Sequence, residues 1–252
     1  MQEYSWIIAA LFIPLFPLGM IFNALFQRLR SGWLRVALIL LWPLPGVWLL
    51  QQQAIYVPNW VMYWALFSAA LYGFRAVVIK EFGVWIGFLA TSTWALTWIA
   101  LAFDAKPDAI LLMVLAFGLP LSLLILLVAE LEKRYDSAYV SVIGGLAQAQ
   151  PRLSALLVFA LLAAIGSPLF PTFFSMLYTI SHAIKVLPAI AFGLVIVWLL
   201  WSWSGISLLQ ELLVGPAAKS RQGDVSHAVT ILYGASLLVL IVTGLFMSRI
   251  LL

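Results

Sequence analysis

Few side chains in this sequence could carry a proton or an ion through an apolar medium, and those that could are Arg75, Glu130, His182, Lys185 and Glu211. A charge at bilayer depth is expensive, so an ionisable group inside an apolar run is a functional candidate by default. Arg75 lies near the end of a long apolar stretch, where it either meets an ion path or snorkels its guanidinium to the headgroups. Lys80-Glu81 reads as a solvated pair at the same interface. Glu130 opens the cluster Glu130-Leu131-Glu132-Lys133-Arg134, which is either interfacial or the mouth of a path. His182 and Lys185 fall between two apolar runs; they could titrate or bind an anion, or form a plain turn. Ser204, Ser207 and Glu211 are spaced to share one helix face, which either packs on a helix or partner or forms a short proton wire.

Other chemistries lack their residues. There is no cysteine, which excludes disulfides and thiolate metal sites. The two histidines, His182 and His227, lie far apart, so neither a metal site nor a haem is expected, and no cofactor is expected at all. No His-Glu-x-x-His, phosphate-cradling loop or Gly-x-Ser-x-Gly is present. Glu130, Glu132 and Asp136 are the one notable carboxylate group, without the spacing of a lipid-modifying enzyme. No catalytic residue is assigned, and the chain alone is not expected to be an enzyme. The net charge of +4 is spread along loops, so nucleic acid is not an expected partner.

The elements that hold these residues must be membrane helices. Hydrophobic residues make up 65% of the 252 and charged ones 9%, against roughly 25% charged in soluble domains. Apolar runs near 5–27, 34–51, 58–79, 83–103, 109–130, 153–180, 186–213 and 227–250 predict about eight transmembrane helices, since a span needs roughly 20 apolar residues. The fold expected is all-α and polytopic, one transmembrane domain over 1–252 with an N-terminal helix pair in 1–51. The N-terminus lacks a basic n-region and a small-residue cleavage site, so it reads as a spanning helix rather than a signal peptide.

Loops after odd-numbered spans hold Arg28, Arg30, Arg35, Arg75, Lys80, Lys133, Arg134, Arg152, Lys219 and Arg221; the opposite side holds Lys106, Lys185 and Arg249. Basic short loops stay cytoplasmic, so both termini are expected on the outer, periplasmic side of the cell's inner membrane. The twelve tryptophans suit lipid–water interfaces. Pro14 and Pro17, Pro43 and Pro45, Gly118 and Pro120, and Gly166 to Pro171 interrupt apolar runs. Proline frees a carbonyl, and transporters often build ion sites at such discontinuities. Gly83 with Gly87, and Gly144 with Gly145, are candidate close-approach points.

Several motifs resemble one family. Ala116-Phe117-Gly118-Leu119 opens a helix that runs into Glu132-Lys133-Arg134-Tyr135-Asp136-Ser137. Gly144-Gly145-Leu146-Ala147 follows, then Pro151 and a long apolar helix containing Gly166-Ser167-Pro168-Leu169 and Thr172-Phe173-Phe174-Ser175. Leu213-Val214-Gly215-Pro216 ends the next helix, and Pro17-Leu18-Gly19 with Asn23 marks the first. In order and spacing this set resembles the antiporter-like membrane subunits of respiratory complex I and of multisubunit cation/proton antiporters. The resemblance covers about half the chain. It implies that 109–216 corresponds to the second of the family's two inverted repeats, with most of the first lacking.

The departures are as informative. Phe117 stands where the family usually has a His, and Met176 where it usually has a Lys or Glu. No Lys, Glu, Asp or His occurs between Leu153 and Ser181 in any register. The family's mid-membrane lysine is also missing near Thr91, Ser92, Thr93 and Thr97. The resemblance therefore implies an accessory or scaffolding subunit of an energy-coupled, proton- or cation-linked complex. Its implied partners are the bilayer, a full-length antiporter-like subunit and a peripheral soluble subunit, in an inorganic-carbon (bicarbonate/CO2) uptake or complex I-like assembly. The alternative is an independent secondary transporter of a small solute.

Overall fold

A computed structural model of the chain describes residues 5–52, 58–103, 107–216 and 223–251. Lys106, Lys219 and Arg221, used above for orientation, lie outside those residues. The described residues form helices, with one isolated bridge between Glu81 and Tyr139. In chain order the helices are α1 (Ser5–Phe12), α2 (Gly19–Arg28), α3 (Gly32–Leu41), α4 (Leu44–Gln52), α5 (Asn59–Val78), α6 (Phe82–Ala95) and α7 (Thr97–Ala102). There follow α8 (Pro107–Tyr135), α9 (Leu146–Ala149), α10 (Pro151–Ala164), α11 (Pro171–Val186), α12 (Pro188–Leu213) and α13 (His227–Leu251).

The protein is an all-α, multi-pass membrane protein. Among the described residues six helical segments are long and apolar enough to cross a bilayer: Gly32–Leu50, Asn59–Val78, Phe82–Ala102, Asp108–Tyr135, Pro188–Leu213 and His227–Ile250. Pro151–Ala164 is a shorter apolar helix. The two other runs expected from sequence, 5–27 and 153–180, are each split into two helices by their prolines. The first splits between α1 and α2 around Pro14 and Pro17, and the second between α10 and α11 over Ile165–Phe170. Proline at the first helical position restarts α10, α11 and α12, where the missing N–H has no partner to lose.

The bundle is sorted by burial. α6 and α8 are its most buried long helices and α13 its least. α5 packs on α6 and α12, α8 on α3 and α10, and α11 on α12 and α13. Lipid tails are as apolar as these side chains, so cohesion rests on close packing rather than on hydrophobic exclusion. Trp85, Trp94, Trp98 and Trp201 are fully buried. This corrects the expectation of an interfacial role for the tryptophans, although Trp33, Trp60 and Trp203 are exposed. The long loop after α8 is folded onto the bundle. Its Ala138 carbonyl accepts from the Phe82 N–H at 3.0 Å, and its Val140 N–H donates to the Lys80 carbonyl at 2.9 Å.

Candidate functional site

One end of the bundle collects most of the charge. Asp108 to Glu130 of α8 spans about 33 Å at 1.5 Å per residue, close to the roughly 30 Å hydrocarbon core, so Glu130 emerges where the apolar run ends. There Glu130 accepts from Lys133 Nζ at 2.8 Å and Arg134 Nη1 at 2.7 Å. Arg134 also donates to the Gly223 carbonyl at 3.4 Å. Glu132, two residues on from Glu130, accepts from Arg35 of α3 at 3.1 Å. Arg35 in turn donates through Nε to the Leu29 carbonyl at 2.8 Å and lies 5.7 Å from the Phe26 ring centre.

The expected solvated Lys80-Glu81 pair is divided. Lys80 pairs with Glu211 of α12, and Glu81 caps α6 by accepting from the Gly83 and Val84 N–H groups. Asp224 caps α10, accepting from the Arg152 N–H at 2.8 Å and the Leu153 N–H at 3.2 Å.

The five candidate residues do not converge. Glu130 and Glu211 sit in separate ion pairs. Arg75 is exposed on α5, its guanidinium 5.4 Å from the centre of the Phe88 ring. His182 and Lys185 lie at the far end of α11, away from the end where α10 begins. His182 Nδ1 is 2.9 Å from the Tyr178 carbonyl and its ring 4.2 Å from the Tyr178 ring. Lys185 is exposed in the last turn of α11, where the helix dipole favours a cation. The face of Ser204 and Glu211 does pack on a neighbouring helix: Trp85 Nε1 of α6 donates to Ser204 Oγ at 3.1 Å.

At membrane depth the interior is hydroxylic and uncharged. No Asp, Glu, Lys or His is among the buried side chains of the described residues. Thr91, Thr93, Thr97, Ser122 and Thr179 each donate to a carbonyl of their own chain three or four residues back, at 2.6–2.9 Å. Each of these hydroxyls directs its proton to its own helical segment. Two longer connections join α12 to α5 and α6. Trp201 Nε1 donates to Ser92 Oγ at 2.8 Å, which donates to the Ala69 carbonyl at 2.7 Å. Trp85 reaches the Trp201 carbonyl through Ser204 in the same way. Indole N–H is a donor only, so each connection stops there. Phe117 and Met176 are fully buried, and Phe117 stands edge-on to Trp201 at 6.3 Å.

The helix breaks are occupied by the protein itself. Around Pro14 and Pro17, the Leu11, Ile13 and Phe16 carbonyls accept from the indoles of Trp42 at 3.2 Å, Trp98 at 2.9 Å and Trp64 at 2.7 Å. The Phe16 N–H donates to Ser68 Oγ at 3.0 Å. At the second break Trp198 Nε1 donates to the Ile165 carbonyl at 3.0 Å. Pro120 removes the N–H that would reach Ala116, and Thr172 Oγ1 takes that carbonyl instead at 3.1 Å. Gly166 and Leu169 adopt positive φ of 82° to turn this chain. The missing Cβ of Gly244 on α13 lets the two backbones touch at the Leu169 carbonyl.

The whole arrangement matches solved membrane complexes. One is respiratory complex I from Thermus thermophilus with bound NADH, at TM-score 0.86 and 22% identity over 97% of this chain. The chain has the fold of antiporter-like membrane subunits. The archaeal membrane-bound sulfane sulfur reductase matches at TM-score 0.81 and 17% identity over 96% of the chain. The Mrp complex from Dietzia sp. DQ12-45-1b matches at 0.81 and 16% over 99%. This chain spans about half the length of each matched chain: 54%, 52% and 57%. No protein-family model and no curated protein sequence matches it.

Within this antiporter-like fold, sequence reasoning missed the pairs Arg35–Glu132 and Lys80–Glu211. Their partners lie 97 and 131 residues apart, and no local signal joins them. Assigning their basic members to the same side of the membrane was the one available hint. Asp224 as the cap of α10 was missed for the same reason.

Proposed function

We propose that this chain is an accessory or scaffolding antiporter-like subunit of an energy-coupled membrane complex, and that it passes no proton through its own interior. The observation that carries the reading is the pairing of an antiporter-like fold over 97% of the chain with a described interior lacking any buried Asp, Glu, Lys or His. The backbone carbonyls at the helix breaks, which a coordinating ion would need, already accept from tryptophan and threonine. Phe117 and Met176 occupy the family's carrier positions, and neither side chain can exchange a proton. In this reading 109–216 is the second repeat, and both termini and the basic loops keep the family's orientation in the inner membrane.

The partners are a full-length antiporter-like subunit that moves the ion and a peripheral soluble subunit that docks on the charged end. Arg75, Glu130 and Glu211 then serve as partner contacts and structural ion pairs, with His182 and Lys185 at the opposite surface. The matched assemblies are respiratory and Mrp complexes, and they favour a complex of that kind over an inorganic-carbon system. The test is affinity purification from native membranes in mild detergent, with mass spectrometry of whatever co-elutes. A full-length antiporter-like chain in stoichiometric amount is expected. A monodisperse single chain that moves solute or protons in reconstituted vesicles would overturn the reading in favour of an independent transporter.

A further inference from the structure

α13 is the least buried long helix, and an open groove of about 560 Å³ runs between it and α10. Both helices begin at the charged end, and the groove is lined by Ala155, Leu156 and Phe159 of α10 and by Gly234, Leu237 and Ile241 of α13. These residues recur at helical spacing along one face of each helix. The lining runs from Thr230 to Ile241 on α13, about 16 Å at 1.5 Å per residue. That is the depth of one leaflet of a roughly 30 Å core. Gly234 keeps the groove open, because a side chain added there would meet no atom within 4 Å.

The charged end of the groove is closed by Arg152, whose Nη2 lies 3.0 Å from His227 Nε2 and whose Nη1 donates to the Val225 carbonyl at 3.2 Å. The nearby Asp224 carboxylate is taken up by the N–H groups of Arg152, Leu153 and Val225. Among the described residues no carboxylate pairs with the Arg152 guanidinium. A cation at headgroup level above one leaflet's depth of apolar wall is complementary to an amphiphile with an anionic head. On the other flank of α13, the groove past Leu119, Leu123, Ser236 and Thr243 has no charged residue in its lining.

We propose that the α10–α13 groove binds one anionic phospholipid of the surrounding bilayer. Its phosphate sits on Arg152 beside His227, and one acyl chain runs down past Gly234. A free phosphate ion does not fit this reading, since nothing would fill the apolar length.

The test is native mass spectrometry of the delipidated full chain in mild detergent. It is titrated with phosphatidylglycerol, with phosphatidylcholine of the same acyl chains, and with inorganic phosphate. The first equivalent of phosphatidylglycerol is expected to bind about tenfold tighter than phosphatidylcholine, the scale of a charge-assisted contact to arginine. Arg152→Gln removes that preference and Arg152→Lys keeps part of it. Gly234→Leu weakens both lipids alike while leaving the melting temperature unchanged or higher, since leucine favours helix over glycine. Equal binding of the two lipids by the unaltered protein overturns the proposal. So does unchanged phosphatidylglycerol binding in Gly234→Leu, or displacement of the lipid by millimolar inorganic phosphate. A protein rather than a lipid cross-linked to a photoreactive side chain at position 234 in native membranes overturns it too.

Discussion

At the break between α1 and α2, three indoles, from α5, α7 and the turn between α3 and α4, donate to the Leu11, Ile13 and Phe16 carbonyls. At the break between α10 and α11 one indole does this work, at the Ile165 carbonyl, while Thr172 just after the break takes the Ala116 carbonyl that Pro120 frees in α8; the chain turns through two positive-φ residues against the backbone of α13. Both regions look alike in sequence, as apolar runs interrupted by prolines. The first is held by side-chain donors and the second largely by backbone shape. In hydrocarbon a freed carbonyl must find a partner, and which partner it finds depends on the neighbouring helix.

The sharpest way to break this comparison is Gly244→Leu. A main-chain carbonyl cannot step aside as a side chain can, so overpacking here is expected to destabilise by about 3 kcal/mol. Recovery of monodisperse protein in detergent should collapse, while an unchanged melting temperature would show that α13 does not hold the second break.

Next comes Trp98→Phe, which leaves the buried Ile13 carbonyl unpartnered at about 1–3 kcal/mol. Trp198→Phe at the second break should lower the melting temperature less, because Trp198 is only partly buried. Equal losses would erase the distinction between the two regions.

Thr172→Val is expected to destabilise by about 1 kcal/mol through the Ala116 carbonyl. In a Pro120→Ala background the restored N–H reaches that carbonyl, so the same substitution should have little effect. A double-mutant cycle with no coupling would mean that Thr172 matters for some other reason.

The smallest effect is expected from Glu211→Gln. Its pair with Lys80 is about a third exposed on both sides, so the change should be within about 1 kcal/mol and should shrink with added salt. A large, salt-independent loss would move Glu211 from structural pairing to a buried functional role.

Much of the architecture was legible in sequence. The apolar runs from 58–79 to 109–130 and from 186–213 to 227–250 correspond closely to helices. The ordered motifs from Phe117 to Pro216 pointed to the fold the structure has. The candidate site was less legible. Arg75, Glu130, His182, Lys185 and Glu211 were chosen as charges near apolar runs, and the structure distributes them among separate ion pairs and two ends of the bundle. Trp42, Trp64, Trp98 and Trp198 carry more of the structural argument, yet composition placed tryptophan at the interface.

The sequence by itself determined the solvent, the helical class and the absence of any His, Asp, Glu or Lys between Leu153 and Ser181. These follow from the length and charge of each run, which bilayer thickness judges one segment at a time. Only the tertiary structure decided that the broken helices are sealed by tryptophan and threonine, that Arg35 meets Glu132 and Lys80 meets Glu211, and that α10 and α13 leave a groove between them. Each of these is a meeting of residues distant in the chain, and the physical reason they were hidden is the same. A hydrogen-bond donor in an apolar medium takes the nearest acceptor, and nearness is set by how the helices pack.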